Sequence, residues 1–98
     1  MTDLNVMHEN AQKAANLLKA ISHESRLMIL CLLTQRELSV SELAEYSNLS
    51  QSAFSQHLSV LRKEKLVTTR KESQTVYYQL KDPNVKKIID TLYEIYCK

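Results

Sequence analysis

The chain has 98 residues, no glycine, one proline and two cysteines, and 44% of its residues are hydrophobic. This length predicts one small domain that buries only about 60–70% of its unfolded surface, so a second copy could complete its core. The scarcity of glycine and proline favours helices over a β fold with many turns. No apolar run approaches the ~20 residues that span a bilayer, and no secretory signal is visible, so we expect no membrane contact and a cytoplasmic location. In a reducing cytosol the cysteines are not expected to form a permanent structural disulfide.

The net charge of +2 is distributed unevenly. Residues 1–61 carry four Lys or Arg against six Asp or Glu, whereas residues 62–98 carry nine against five. The densest basic stretch, residues 62–71, has five basic residues and one acidic residue. A solvated face is the simplest interpretation of such a stretch. Its position directly after a candidate recognition helix favours a second interpretation, a clamp on nucleic-acid phosphates.

The first part of the chain predicts two helices and a short strand. Residues 9–21 place apolar side chains, from Ala11 to Ile21, at helical spacing. A second helix over about residues 23–35, which Ser22 can cap, is apolar nearly all round, and we therefore expect it at the centre of the core. Residues 38–40 form a plausible short strand.

The middle of the chain, about residues 41–63, predicts a helix-turn-helix. Ser41 is expected to cap the first helix, with Glu42 in its first turn. Residues 48–50 break that helix, and Ser50 caps the next one, which runs from Gln51 to about Lys63.

The last part of the chain predicts a β-hairpin and a final helix. Residues 66–71 and 74–80 are rich in Val, Thr and Tyr, with residues 71–73 as the turn between them. Of the adjacent Tyr77 and Tyr78, one is expected to pack inward and the other to face out. Asp82 and Pro83 open a helix whose apolar stripe suits the core or a dimer surface.

The second helix of the helix-turn-helix has one polar face made of short hydroxyl and amide side chains. Such side chains suit a helix in the major groove, where Gln can bond adenine as a fork. A plain solvated face would be richer in Glu and Lys. His57 lies at the border of this face, where a packed or capping role is favoured over metal ligation. We expect DNA contacts from Gln51, Ser52, Ser55, Gln56, His57, Ser59, Arg62 and Lys63 on the helix, and from Arg70, Lys71, Gln74 and Thr75 around the hairpin tip.

These motifs resemble the ArsR/SmtB family of winged-helix repressors over nearly the whole chain. The strongest stretches are residues 17–33, 38–67 and 75–80, and the Ser-Gln-Ser-Ala-x-Ser-Gln-His-Leu core with the Thr-Val-Tyr-Tyr strand is specific. The resemblance implies that residues 1–98 form one winged helix-turn-helix domain, mainly α with a small β-hairpin, in the order helix-helix-strand-helix-helix-strand-strand-helix. It also implies a wing at about 66–80 and a homodimer built from helices at about 8–21 and 83–97. Such a dimer would bind a palindromic operator in double-stranded DNA, with half-sites ~34–36 Å apart, and would be nucleoid-associated.

The sequence departs from the metal-sensing patterns of that family. Where arsenic and cadmium sensors carry Cys-Val-Cys, this chain has Ser39-Val40-Ser41, and hydroxyls are poor ligands for soft metals. The last helix offers Asp90 and Glu94 but no histidine, so we expect no metal or other cofactor. The placement of Cys31 and Cys97 instead resembles the thiol-sensing branch that includes HlyU, SqrR and BigR. That resemblance implies that reactive sulfur species or oxidants bridge the two cysteines and release the DNA.

Other interpretations of the same residues remain open. Cys31 on an apolar helix can be a small buried hydrophobe, and Cys97 can be incidental. A metal sensor could use both cysteines with His8 or His23, and a winged helix could serve only as a protein-interaction module. An enzyme is not expected, because the chain has no Cys-x-x-Cys, no glycine-rich phosphate loop and no recognisable set of nucleophile, base and acid.

Overall fold

The computed structural model describes residues 3–97 and is mainly helical with a small three-stranded sheet. The elements are α1 (Leu4–Ile21), α2 (Glu24–Leu33), β1 (Leu38–Ser39), α3 (Val40–Glu45), α4 (Gln51–Lys63), β2 (Val67–Glu72), β3 (Thr75–Leu80) and α5 (Pro83–Tyr96). Their order and class confirm the predicted winged helix-turn-helix. The helix α1 begins five residues earlier than its apolar periodicity indicates, because Asp3 caps it by accepting the Asn5 N–H at 2.9 Å.

The core is organised around α2. Leu30 of this helix has no exposed surface, and Ile29 and Leu33 are each 4% exposed. The helix contacts α1, α4, α5 and β3. Its apolar character nearly all round is therefore explained by neighbours on most of its faces, as predicted. Burying each such side chain stabilises the fold by about 1.5–3 kcal/mol.

The sheet is antiparallel in the order β1-β3-β2, so that β2 forms an outer edge. Tyr78 is 4% exposed and belongs to the core, whereas Tyr77 is half-buried on the other face of the strand. This confirms the predicted alternation. The predicted turn at residues 71–73 is wrong, because Lys71 and Glu72 pair with Val76 and Thr75. The turn is Ser73 and Gln74, and Ser73 takes a left-handed φ of 56°.

Two predicted helix caps, Ser22 and Ser41, are also wrong. Two others, Ser50 and Asp82, are confirmed. Ser22 ends α1, and the cap of α2 is His23, whose Nδ1 accepts the Ser25 N–H at 3.1 Å. Ser50 caps α4 and Asp82 caps α5, as predicted.

The cap of α3 is Ser39 rather than Ser41. Its Oγ accepts the Glu42 N–H at 3.0 Å, while the Glu42 carboxylate accepts the Ser39 N–H at 2.9 Å. Ser39 can close this reciprocal capping box and end β1 at once, because both roles use its extended backbone (φ −75°, ψ 161°).

No helix among residues 3–97 combines the length and apolarity that a bilayer crossing requires.

Replacing Ser39 with Ala should lower the free energy of unfolding by about 1 kcal/mol, because the replacement removes one half of the capping box. The matched control is Ser41→Ala, an exposed position two residues after the cap, which should change that free energy by less than about 0.5 kcal/mol. Urea denaturation measures both. Equal losses in the two variants would contradict the assignment of the cap.

Candidate nucleic-acid interface and thiol groove

The helix α4 has one buried face and one polar exposed face. Phe54, Leu58 and Leu61 are between 0% and 5% exposed and anchor the helix in the core. The polar side chains predicted to contact DNA lie mostly on the other side, and all but one of them are exposed. These exposed residues are Gln51, Ser52, Ser55, Gln56, Ser59, Arg62 and Lys63. Ser50 fixes the start of the helix by accepting the Ala53 N–H at 3.2 Å.

His57 is the exception on this helix. It is half-buried, and its ring centre lies 4.1 Å from that of His23, the cap of α2. Burial, with additional contributions from His23 and Arg26, lowers the pKa of His57 below its ordinary value. This placement agrees with the packed role favoured by the sequence and turns the ring toward α2, away from the polar face. The DNA contact that the sequence also predicts for His57 stays a prediction.

Three of the predicted wing contacts, Lys71, Gln74 and Thr75, are exposed at or beside the hairpin turn. Arg70 differs from them, because its guanidinium is paired with two carboxylates. Its Nε and Nη2 donate to Glu37 at 2.9 and 2.7 Å, and its Nη1 donates to Glu72 at 2.9 Å. The hydrogen bonds from Arg70 hold the pKa of Glu37 below its ordinary value, and the two carboxylates raise the pKa of Arg70.

The role of Glu37 has no signature in the sequence. It precedes Arg70 by 33 positions, and local patterns describe only residues that are close along the chain. The contact could be anticipated only from the order of the strands, in which β3 alone separates β2, where Arg70 lies, from β1, which Glu37 precedes.

The cysteines are brought together in one groove between α2 and α5. Cys31 is half-buried on α2, and Cys97 is exposed at the C-terminal cap of α5. Both are free thiols. The groove is lined by Cys31, Leu32, Thr34, Gln35, Ile89, Asp90, Tyr93, Glu94 and Cys97.

The electrostatics of the groove disfavour a thiolate at Cys31. Burial raises the pKa of the Cys31 thiol, and electrostatic interactions with Cys97 and Asp90 raise it further. Cys31 is therefore protonated at neutral pH, and the more accessible sulfur for a dissolved reagent is that of Cys97.

Positions that could hold a metal have other partners. Among residues 3–97 the structure forms no group of three His, Cys, Asp or Glu that could hold a metal ion. Ser39 is used by the capping box, and Asp90 accepts a hydrogen bond from Lys86 at 2.8 Å. His23 caps the start of α2, whereas Cys31 lies near the end of that helix.

A capped recognition helix preceded by a short helix and followed by a basic β-hairpin defines a winged helix-turn-helix protein. Residues 23–69 match the model of the bacterial regulatory protein arsR family. The transcriptional activator HlyU of Vibrio cholerae is 52% identical over 96 residues, which cover 98% of this chain and 89% of that relative. The chain belongs to the ArsR family of bacterial transcriptional regulators.

Further relatives and solved structures agree with this assignment. The biofilm growth-associated repressor of Xylella fastidiosa is 38% identical over 91 residues, covering 93% of this chain and 80% of the relative. Reduced HlyU from V. cholerae superposes with a TM-score of 0.89 at 53% identity, covering 94% of this chain and 97% of that one. The repressor BigR from X. fastidiosa gives 0.87 at 36% identity, covering 99% of both chains. The resemblance to HlyU and BigR is thus confirmed, and these relatives are transcriptional regulators, not enzymes.

The stability of the protein should fall on acidification partly through His57. Because its folded-state pKa lies below the ordinary value of 6.5, the unfolded chain binds this proton more readily. The free energy of unfolding should then decrease as the pH falls through that value. His57→Gln should show a smaller decrease than the wild type between about pH 7.5 and about pH 5.5.

Urea denaturation at the two pH values measures this difference. The control is His8→Gln, which removes an exposed histidine of α1 and should retain the wild-type pH dependence. A wild-type pH dependence in His57→Gln would contradict the assignment.

Proposed function

We propose that this chain acts as a homodimer that binds a palindromic operator, and that bridging of Cys31 and Cys97 controls its affinity for that operator. The observation that carries this proposal is the position of the thiols. Both line one groove between α2 and α5, outside the helix and wing that face DNA. The switch can therefore act without blocking the contact surface. A regulator of this kind acts in the cytoplasm, where the nucleoid lies.

The exposed face of α4 supports recognition in the major groove. Gln51 and Gln56 can each bond an adenine through two atoms, and the serines are short enough to let the helix approach the bases. Arg62 and Lys63 at the end of α4, and Lys71 on the wing, are exposed cations suited to phosphate contacts. Base selection then belongs to the start and middle of the helix, and general affinity to its end and to the wing.

Exposed apolar side chains on α1 and α5 support the dimer. They are between 46% and 80% exposed in the single chain. These residues are Leu4, Val6, Met7, Leu18, Tyr93, Ile95 and Tyr96. Covering such a surface with a second copy is favourable, and a twofold axis would place two recognition helices on successive half-sites.

The bridging chemistry is an oxidation. In a disulfide the two thiols together lose two protons and two electrons, which the oxidant accepts. A sulfane-sulfur donor first inserts a sulfur atom to give a persulfide at one cysteine. The other thiol then joins it with the loss of two protons and two electrons to a second molecule of the donor, whose sulfane sulfur is reduced to sulfide, and each added sulfur lengthens the bridge.

A bridge would couple the groove to DNA through α5. It would tie the end of α5 to α2, and the end of α5 also carries Tyr93, Ile95 and Tyr96 of the proposed dimer surface. A shift of that surface changes the spacing of the two recognition helices. The coupling needed is small, because about 1–3 kcal/mol changes the affinity 5–150-fold.

The descriptions of the relatives include a reduced state of one protein and both activation and repression of transcription. HlyU of V. cholerae has been solved in a reduced form, which is the state that two free thiols represent. One relative is named an activator and another a repressor. The same DNA-binding step gives repression at a promoter and activation where it displaces a silencer, so we propose a repressor or an anti-silencer according to the operator position.

Selection from a random duplex library should recover two inverted half-sites with centres ~34–36 Å apart. Gln56→Ala should relax the base preference at one position of each half-site, at a cost of about 1–3 kcal/mol. The control is Lys86→Gln, which alters an exposed pair on α5. Recovery of single half-sites would contradict the dimer, and no enrichment would contradict specific recognition.

A sulfane-sulfur donor should convert the reduced protein to a bridged form and weaken operator binding 5–150-fold. Intact-mass analysis should show the loss of two hydrogens together with the gain of whole sulfur atoms, while peroxide should give the loss of hydrogens alone. Cys31→Ser and Cys97→Ser should retain operator binding after either treatment. Release of DNA from Cys31→Ser by the donor would contradict the switch, and fluorescence anisotropy on the selected duplex measures it.

A further inference from the structure

One arginine fixes the base of the wing. Three different nitrogens of the Arg70 guanidinium donate to Glu37 and Glu72, at distances between 2.7 and 2.9 Å. The carbon of the same guanidinium lies 4.4 Å from the centre of the Tyr77 ring, which covers one of its faces. The group therefore has most of its bonding directions in use within the protein.

These contacts cross the whole sheet. Arg70 on the edge strand β2 pairs with Tyr77 on β3, and Tyr77 pairs with Ser39 on β1. The arginine extends over the Tyr77 ring to Glu37, which directly precedes β1. Because β2 forms no ladder with β1, this ion pair links the edge strand directly to the segment that leaves α2.

We propose that Arg70 is a positioning residue, which holds the wing in a fixed place relative to α2 through Glu37, and that the adjacent Lys71 contacts the DNA backbone. Consecutive residues of a strand point to opposite faces, so Lys71 is directed away from the pair that Arg70 forms. The inference revises the predicted role of Arg70 as a DNA contact and rests on the DNA-binding role proposed above.

Substitution of Glu37 separates positioning from phosphate contact. If Arg70 contacts phosphate, Glu37 competes with DNA for it, and Glu37→Gln tightens binding. If Arg70 positions the wing, Glu37→Gln loosens the wing and weakens binding. The two roles thus predict opposite signs for a change that leaves Arg70 in place.

The test measures dissociation constants on the selected duplex over a range of KCl concentrations. Glu37→Gln and Arg70→Gln should each weaken binding up to about fivefold, which is the range of a surface ion pair, with an unchanged salt slope. The double variant should be no weaker than either single variant, since both remove one link. Lys71→Gln should lower the salt slope by about 1 per protomer.

Tighter or unchanged binding by Glu37→Gln would overturn the proposal, and so would a salt slope lowered by Arg70→Gln. Should Arg70→Gln fail to fold, Glu37→Gln decides the question alone.

A measurement without DNA separates this proposal from the proposed function. Amide hydrogen exchange in β2 should be faster in Glu37→Gln than in the wild type, because the edge strand loses its only link to the segment before β1 among the contacts described for residues 3–97. The matched control is Arg36→Gln, which breaks the neighbouring exposed pair with Glu42 and should leave exchange in β2 unchanged. Unchanged exchange in Glu37→Gln would overturn the positioning role, whereas a wild type that selects no duplex would overturn only the DNA-binding role.

Discussion

Burial of α2 is the constraint on which the rest of this structure depends. This helix contacts α1, α4, α5 and β3, and its residue Leu30 has no exposed surface. The recognition helix, the thiol groove and the wing each contact a different part of α2 or of the segment that follows it. His57 of the recognition helix packs against His23 at its start, Cys31 lies near its end, and Glu37 follows it. Because a closely packed core transmits displacements, a movement of the side chains on one face of α2 shifts the elements that pack against its other faces.

This arrangement separates the surface that reads DNA from the groove that holds the thiols. The polar face of α4 contains no cysteine, and the family resemblance matches Ser39 and Ser41 to the positions where metal sensors carry thiols. Ser39 is nearly buried and closes the capping box that starts α3. A metal ligand at this position would have to replace a structural hydrogen bond. Ser39 therefore has a structural role in the helix-turn-helix, and the control proposed above acts through α2 and α5.

The sequence predicted the elements because their signals are local. Ser50 and Asp82 were recognisable caps, and the alternation of Tyr77 and Tyr78 follows from a strand's period of two. One error arose where two nearby residues offer the same chemistry. Ser39 and Ser41 are both capable of capping α3, and only the extended backbone at the end of β1 selects the first. A second error arose from strand pairing, because residues 71–73 look like a charged turn although β2 extends through Glu72.

The candidate site was predictable in its composition and less so in its connections. The exposed polar face of α4 follows from helical periodicity, and the pairing of the thiols follows from the family resemblance. The partners of His57 and Arg70 do not, since His23 and Glu37 lie more than thirty residues earlier in the chain. Such contacts are set by how helices and strands pack. For this reason His57 and Arg70, whose partners the sequence did not predict, both contact a distant element.

The raised pKa of Cys31 implies an order of events for the proposed switch. A protonated, half-buried thiol reacts slowly with dissolved oxidants, so the exposed Cys97 is the sulfur that an inducer meets first. Burial is the largest cause of the raised pKa of Cys31, and it persists after Cys97 has been modified. In the proposed switch, closure of the bridge by the Cys31 thiol is therefore the slower second step, and a singly modified Cys97 precedes the bridged form.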